Sequence, residues 1–345
     1  MGNNLVSYFF TEEQREEKKQ QIFQQLKQQL EHRGTSLLLM LDSFSAIEQQ
    51  WTPFSDWLES FAARTRHEVL LQHADVPVAL RPWLIELDLQ QSEDLMLLES
   101  SIDYALRECE PEYIYGQGGR AVCGWLTTTH STAYLAKQLG GSSIQQRPDG
   151  GRSLLRFYNP AILAGLLTYL SSWQSQRLMA GLSSWSYLDG DGELTHLAFA
   201  EQRDIQLSFT LLLQEEQWQQ LELMGTVNQA LTHYRARSQR HQIPRFAENI
   251  ARKLLLPGLA RIHKRLDNAD KRAMEVSTHY FLHIHPDFDR HPLIAARLDS
   301  VQSLNGTHLI RLLRQLTADQ WNQIAEECQQ ADGAGPLLKY VQENY

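Results

Sequence analysis

The chain has 345 residues, of which 42% are hydrophobic and 21% charged, a make-up that suits a globular protein and excludes disorder as its main state. Its formal net charge of -9, from 32 Lys plus Arg against 41 Asp plus Glu, works against nucleic-acid binding unless cations are gathered in a patch. Three cysteines (Cys109, Cys123 and Cys328) with no CxxC pair fit a reducing compartment.

Thr11 opens the first predicted helix, with Gln14 at the capping-box offset, acidic residues in the first turn and Gly34 beyond its end. Ile22, Phe23, Leu26 and Leu30 form its apolar stripe, and the remaining face is rich in Gln, Glu and Lys. That face reads either as solvated or as a surface for a partner helix. The N-terminus lacks the basic and apolar regions of a signal peptide, and no uncharged run approaches the ~20 residues of a membrane span. A cytoplasmic location without membrane attachment is therefore expected.

After Gly34 short apolar runs alternate with helical stretches. Strands are predicted at Ser36 to Asp42, Glu68 to Gln72, Trp83 to Leu87, Ala121 to Thr127 and Ser153 to Tyr158. Ser92 caps a helix that carries Leu95, Leu98, Ile102 and Leu106, and Ser131 caps another through Tyr134 and Leu135. Asn159 and Pro160 mark a strand-to-helix junction, with Pro160 at the first helical position. Asp189 to Gly192 supply the turn of a hairpin in SSWSYLDGDGELTHLAF.

Past Asp204 the pattern is helical: Leu211 to Gln239, Pro244 to Leu256, Gly258 to Leu266, Asp270 to His283, then several segments from Pro292 to Asn344. Pro257, Pro286 and Pro336 punctuate them. The predicted fold is α+β, a mixed β-sheet lobe flanked by helices and followed by an all-helical lobe. The divisions fall at residues 1–34 for the N-terminal helix, 35–203 for the α/β domain and 204–345 for the helical lobe.

Little in the chain suggests catalysis. His279, His283, His285, Asp287, Asp289 and His291 form the densest metal-like cluster, but no Glu lies between His279 and His283 to act as a base. DGDGE lacks the ligand ladder of a calcium loop, and GQGGR at Gly116 to Arg120 lacks phosphate-loop spacing. No GxSxG elbow is present. The basic stretch from Arg235 to Arg245, continued by Arg252, Lys253, Arg261, Lys264 and Arg265, reads as solvated helix faces.

From Ser36 to about Tyr187 the landmarks LLLMLD, VALRPWLIEL, LMLLESSIDYAL, CGWLTT, STAYLAKQLGG, DGGRSLLRFYNPAIL and LLTYLSSWQSQRLMAG come in an order that resembles the domain of unknown function 4123. That domain occurs in type VI secretion effector chaperones, also called adaptors. One departure is Asn159, where the family usually has Asp; Asn still serves as a helix cap.

The resemblance implies a cytoplasmic carrier, with no cofactor and no chemistry of its own. It would bind a toxic effector and help load it onto the VgrG spike protein, with a variable C-terminal region selecting the cargo. Trp125, Arg156, Tyr158, Trp173 and Trp185 are the candidate protein-binding residues within the family-like segment. Trp125 and Tyr158 also read as core. Arg156 faces away from Leu155 and Phe157, as an ion-pair partner or as a protein contact. The competing expectation is a metal-dependent enzyme built on the cluster from His279 to His291.

Overall fold

A computed structural model describes residues 10–30, 36–42, 56–57, 59, 64–72, 76–78, 81–110, 113, 120–199, 209–241, 247–267, 270–301 and 303–332. Gly34, most of the GQGGR run, the basic residues from 236 to 245 as side chains, Pro336 and the segment to Asn344 lie outside that set. The residues divide into two compact units, one spanning Phe9–Trp218 and the other from Gln219 onward.

In the first unit the strands are β1 (Ser36–Leu41), β2 (Arg66–Glu68), β3 (Trp83–Leu87), β4 (Val122–Thr128), β5 (Ile144–Gln146), β6 (Arg152–Leu154), β7 (Ser184–Leu188) and β8 (Leu194–Ala198). Among the described residues they form a six-stranded sheet in the order β2-β3-β1-β4-β7-β8 and a separate β5-β6 ribbon. Every pairing is antiparallel, which corrects the expectation of a mixed sheet. No crossover to a parallel neighbour is needed, since the helices pack over the sheet without inserting a strand.

Helices α1 (Glu12–Leu30), α2 (Ser92–Arg107), α3 (Thr132–Ser143), α4 (Pro160–Tyr169) and α5 (Ser172–Leu178) complete this unit. At the start of α1 the capping box forms in both directions. The Gln14 N–H donates to Thr11 Oγ1 and the Thr11 N–H to Gln14 Oε1. Ile22 and Leu26 are buried with Leu98, Ile102 and Leu106 of α2 and with Leu37, Leu39 and Leu41 of β1. Lys18, Lys19 and Arg15 meanwhile engage carboxylates of the same unit, so α1 packs as part of this core.

The alternation of β1 sends Leu38 and Met40 to the opposite face, where they are equally buried. Glu86 on that side accepts from Thr132 Oγ1 of α3. Both faces of the central strands are therefore covered, and β4 and β7 are buried along their whole length. Gly124, at φ +131, lets β4 pass beneath Trp185 and the Ser186 carbonyl, where a Cβ would collide.

Two predicted strands are shorter than expected. Of Glu68 to Gln72 only Glu68 is in a strand, because the Val69 N–H donates to Pro82 O and the chain then turns onto α3, with the Leu70 N–H directed at Ala136 O. Likewise β6 ends at Leu154, and Leu155 to Tyr158 turn inward, with the Asn159 N–H donating to Arg156 O. Asn159 and Pro160 then open α4 as expected, the Ala161 N–H donating to Asn159 Oδ1. The β7-β8 hairpin forms, and Asp189 Oδ1 accepts from the N–H groups of Asp191 and Glu193. Ser92 is the first residue of α2 and Gln91 its cap, one position earlier than predicted.

The helical part comprises α6 (Glu215–His241), α7 (Glu248–Arg265), α8 (Lys271–His283), α9 (Pro292–Asp299), α10 (Gly306–Arg314) and α11 (Ala318–Asp332). Pro257 does not divide α7 as the sequence suggests. Pro257 and Lys253 lie on the exposed face, where the carbonyl that proline's missing N–H leaves unbonded is open to solvent. On the buried side Gly258 admits Phe281, whose ring lies 2.6 Å from where a Cβ would sit. Phe281 and Phe288 pack at 4.5 Å, and Tyr280 stacks on Trp321 at 4.5 Å. No helix among the described residues is long and apolar enough to cross a membrane.

Candidate protein-binding surface

The expected binding residues separate by burial. Trp125, Tyr158 and Trp185 are interior, at 0%, 1% and 0% exposure, and cannot meet a partner while the unit is folded. Their polar atoms are engaged from within: Trp125 Nε1 donates to Ser101 Oγ at 2.9 Å and Trp185 Nε1 to Cys123 O at 3.1 Å. Phe157 meets Trp185 edge to face. This corrects their assignment as contact residues. Trp125 and Trp185 lie on β4 and β7 of a sheet covered on both faces, where alternation brings either direction to a core, while Tyr158 lies in the inward turn after β6.

Arg156 takes the ion-pair alternative. Its guanidinium binds Asp42 Oδ2, and Asp42 is fully buried at the end of β1. Burial works to lower the Arg156 pKa, but the Asp42 charge and hydrogen bond outweigh it and hold the group above its ordinary value. Burial, reinforced by Asp42, pushes Tyr158 and Cys123 up. Charge reversal at Arg156 would face Asp42 with a second carboxylate, so it is not a clean probe of partner binding.

With its thiol raised well above the usual range, Cys123 is expected to resist alkylation at pH 8 in the folded protein and to react once the chain is unfolded in urea. Mass-spectrometric mapping after iodoacetamide treatment reads this. Rapid native labelling at Cys123 would contradict the burial.

Trp173 is the exposed member of the set, at 48%, with the Arg177 guanidinium 5.0 Å from its ring centroid. A capping box fixes α5 beneath it, Ser171 and Gln174 exchanging both bonds. Gln174 Nε2 also donates to Leu211 O at 3.0 Å and to Gln217 Oε1 at 3.1 Å, while Gln217 Nε2 reaches Tyr169 O. Gln145 grips the same segment from the β5-β6 ribbon: its Nε2 donates to Phe209 O, and its Oε1 accepts from the Leu211 N–H.

This network holds a residue that sequence reasoning missed. Leu212 is 63% exposed and has φ +50, the left-handed region that a branched apolar residue rarely occupies. Leu211 and Leu213 on either side are buried. The sequence places Leu211 at the start of a helix reaching Gln239, whereas the helix begins at Glu215, and the backbone angle sets Leu212 apart from its neighbours. Strain of this kind, about 1–3 kcal/mol, persists where surrounding bonds over-determine it, often at ligand-binding sites. Beside the same ribbon lies a groove of about 440 Å³ lined by Leu70, Lys137, Gly140, Ile144, Arg152 and Phe209. Trp173 and Leu212 are two exposed apolar side chains whose neighbours Gln174 and Leu211 are joined by a hydrogen bond.

The metal-like cluster is committed to structure. Arg261 donates to both oxygens of Asp289, at 2.8 and 2.6 Å, and to Asp287 Oδ1 at 2.7 Å. His291 caps α9 by accepting from the Leu293 N–H, and its Nε2 lies 2.8 Å from Glu327. His279 and His283 pack ring to ring at 4.1 Å. Among the described residues no group of three or more His, Cys, Asp or Glu is arranged to hold a metal ion. Arg252 and Arg265 are paired as well, with Glu248 and Asp299, which breaks up the predicted basic stretch where it is described.

Residues 56–177 match the sequence profile of the domain of unknown function DUF4123. No curated protein and no solved structure matches the chain. The matched segment runs from before β2 to α5 and includes Gln145, Trp173, Gln174 and Arg177, while Leu212 lies beyond it.

Proposed function

We propose that the protein is a cytoplasmic adaptor, not an enzyme, which binds a type VI secretion effector and helps load it onto the VgrG spike. The DUF4123 match and the order of landmarks from SLLLMLD to LLRFYNPAIL support this reading. The observation that carries it is the exposed pair Trp173 and Leu212, held out on the Gln145–Gln174–Gln217 network. An enzyme would need reactive groups brought together, whereas this arrangement spends its hydrogen bonds on presenting apolar surface.

Co-expression with the products of the two adjacent genes, followed by affinity measurement, tests the reading. Trp173→Ala with Leu212→Gly is expected to weaken effector binding at least about tenfold, as for hot-spot apolar contacts. Stability should stay within about 1 kcal/mol, because glycine relieves the positive φ while costing backbone entropy. Failure of either neighbouring protein to bind at low salt would remove the adaptor reading. Unchanged affinity of the double variant would remove this surface from it.

A further inference from the structure

The helical unit has an open groove of about 530 Å³ between α9 and α10, lined by Arg297, Ser300, Val301, His308, Arg311 and Leu312. Among the described residues no carboxylate lines it. Arg252 of this unit is paired with Glu248, Arg261 with Asp287 and Asp289, and Arg265 with Asp299. Arg297 and Arg311 have no ion pair among the described residues. Asp299, two positions from Arg297, holds Arg265 instead, and Asp267 accepts from Ser303 Oγ. In a chain with 41 acidic and 32 basic residues, this is a cationic recess left uncompensated.

We infer that this groove binds a short acidic peptide segment of a partner protein, with Arg297 and Arg311 taking carboxylates and Val301 and Leu312 receiving an apolar side chain between them. The planar forks of arginine suit carboxylates, and His308 and the Ser300 hydroxyl add polar atoms at the rim. The apolar lining argues for a peptide over a phosphate alone, because a free anion would leave the half-buried Val301 uncovered. The net charge of -9 disfavours a long polyanion while permitting a short stretch that needs only local complementarity. This inference is independent of the adaptor reading and concerns a different surface.

The test is fluorescence anisotropy of the full-length protein with a labelled pentapeptide of glutamates around a central leucine. The matched peptide with glutamines in place of glutamates is the control, and inorganic phosphate and a short single-stranded RNA are competitors. Saturable binding that weakens with salt is expected, with the glutamine peptide at least about tenfold weaker. Arg297→Gln with Arg311→Gln should lose at least about tenfold in affinity at unchanged thermal midpoint. Should that double variant fold poorly, Arg311→Gln alone, on an exposed side chain, should still weaken binding several-fold. Equal binding of the two peptides, wild-type affinity in the folded variants, or tighter binding of phosphate or RNA than of the peptide would each overturn the inference.

Discussion

Arg156→Ala is expected to destabilise the sheet unit by about 3 kcal/mol, because it strands the Asp42 carboxylate in the interior without its partner. Removing one member of a buried ion pair costs ~3–5 kcal/mol, and the partial exposure of the Arg156 side chain, at 29%, admits some water and favours the lower end. Asp42 sits where β1 ends, its N–H donating to Ala121 O at 2.7 Å, so a disturbance there reaches both β1 and the start of β4. Arg156→Ala combined with Asp42→Ala should cost clearly less than the sum of the single changes, with a coupling of about 1–3 kcal/mol, since no unpaired charge remains. Urea unfolding of the four proteins measures the cycle. A loss below about 1 kcal/mol for Arg156→Ala would mean that water solvates Asp42 once the guanidinium is gone.

That ion pair marks how far sequence reasoning reaches. Local signals were legible: the Thr11 and Gln14 box, the Ser131 cap, Asn159 with Pro160, and the DGDG turn each depend on residues a few positions apart. The division into a sheet lobe and a helical lobe was legible too, because the hydrophobic period changes beyond Asp204. What failed depends on contacts between distant elements. EVLLQ has the composition of a strand, yet Leu70 lies against Gly140 of α3, where a Cβ would be 2.5 Å from the Leu70 carbonyl oxygen. Pro257 reads as a stop, yet its exposed side of α7 tolerates the missing bond.

Burial separates the candidate residues in a way that the sequence does not show. Trp173 is exposed, whereas Trp125 and Trp185 lie on a sheet whose covered faces erase the pattern that separates inside from outside, and Tyr158 lies in the inward turn after β6. Arg156 was correctly placed as an ion-pair partner in one of its two readings, though Asp42, 114 positions away, could not be named as its partner from spacing. The exposure of Leu212 was not legible because it goes with a backbone angle in a segment held by Gln145, Gln174 and Gln214. The surface is thus built from the matched domain together with a segment that follows it.

Glu108 should make stability fall as pH rises from about 5 to about 8, the reverse of ordinary paired carboxylates. Its carboxyl, at 1% exposure, is pushed by burial from 4.5 up to about 8, against the backbone N–H groups of Val122 and Ala121 and the Arg120 charge, which hold it down. Within that window the folded protein keeps a proton that the unfolded chain has released. The folded state therefore binds more protons, and each pH unit removes up to about 1.4 kcal/mol of stability. The favourable contribution is complete below 4.5 and gone above about 8. In Glu108→Gln the amide NH2 faces one of the two backbone N–H groups, costing about 1–3 kcal/mol, but this position no longer titrates. Between pH 5.5 and 7.5 the wild type should accordingly lose about 2–3 kcal/mol relative to the variant, a difference that cancels every other titrating group. Denaturant unfolding at the two pH values reads it directly. Equal slopes would mean that the Ala121 and Val122 N–H groups keep Glu108 charged throughout, which would make it a permanently ionised tie between the end of α2 and the start of β4.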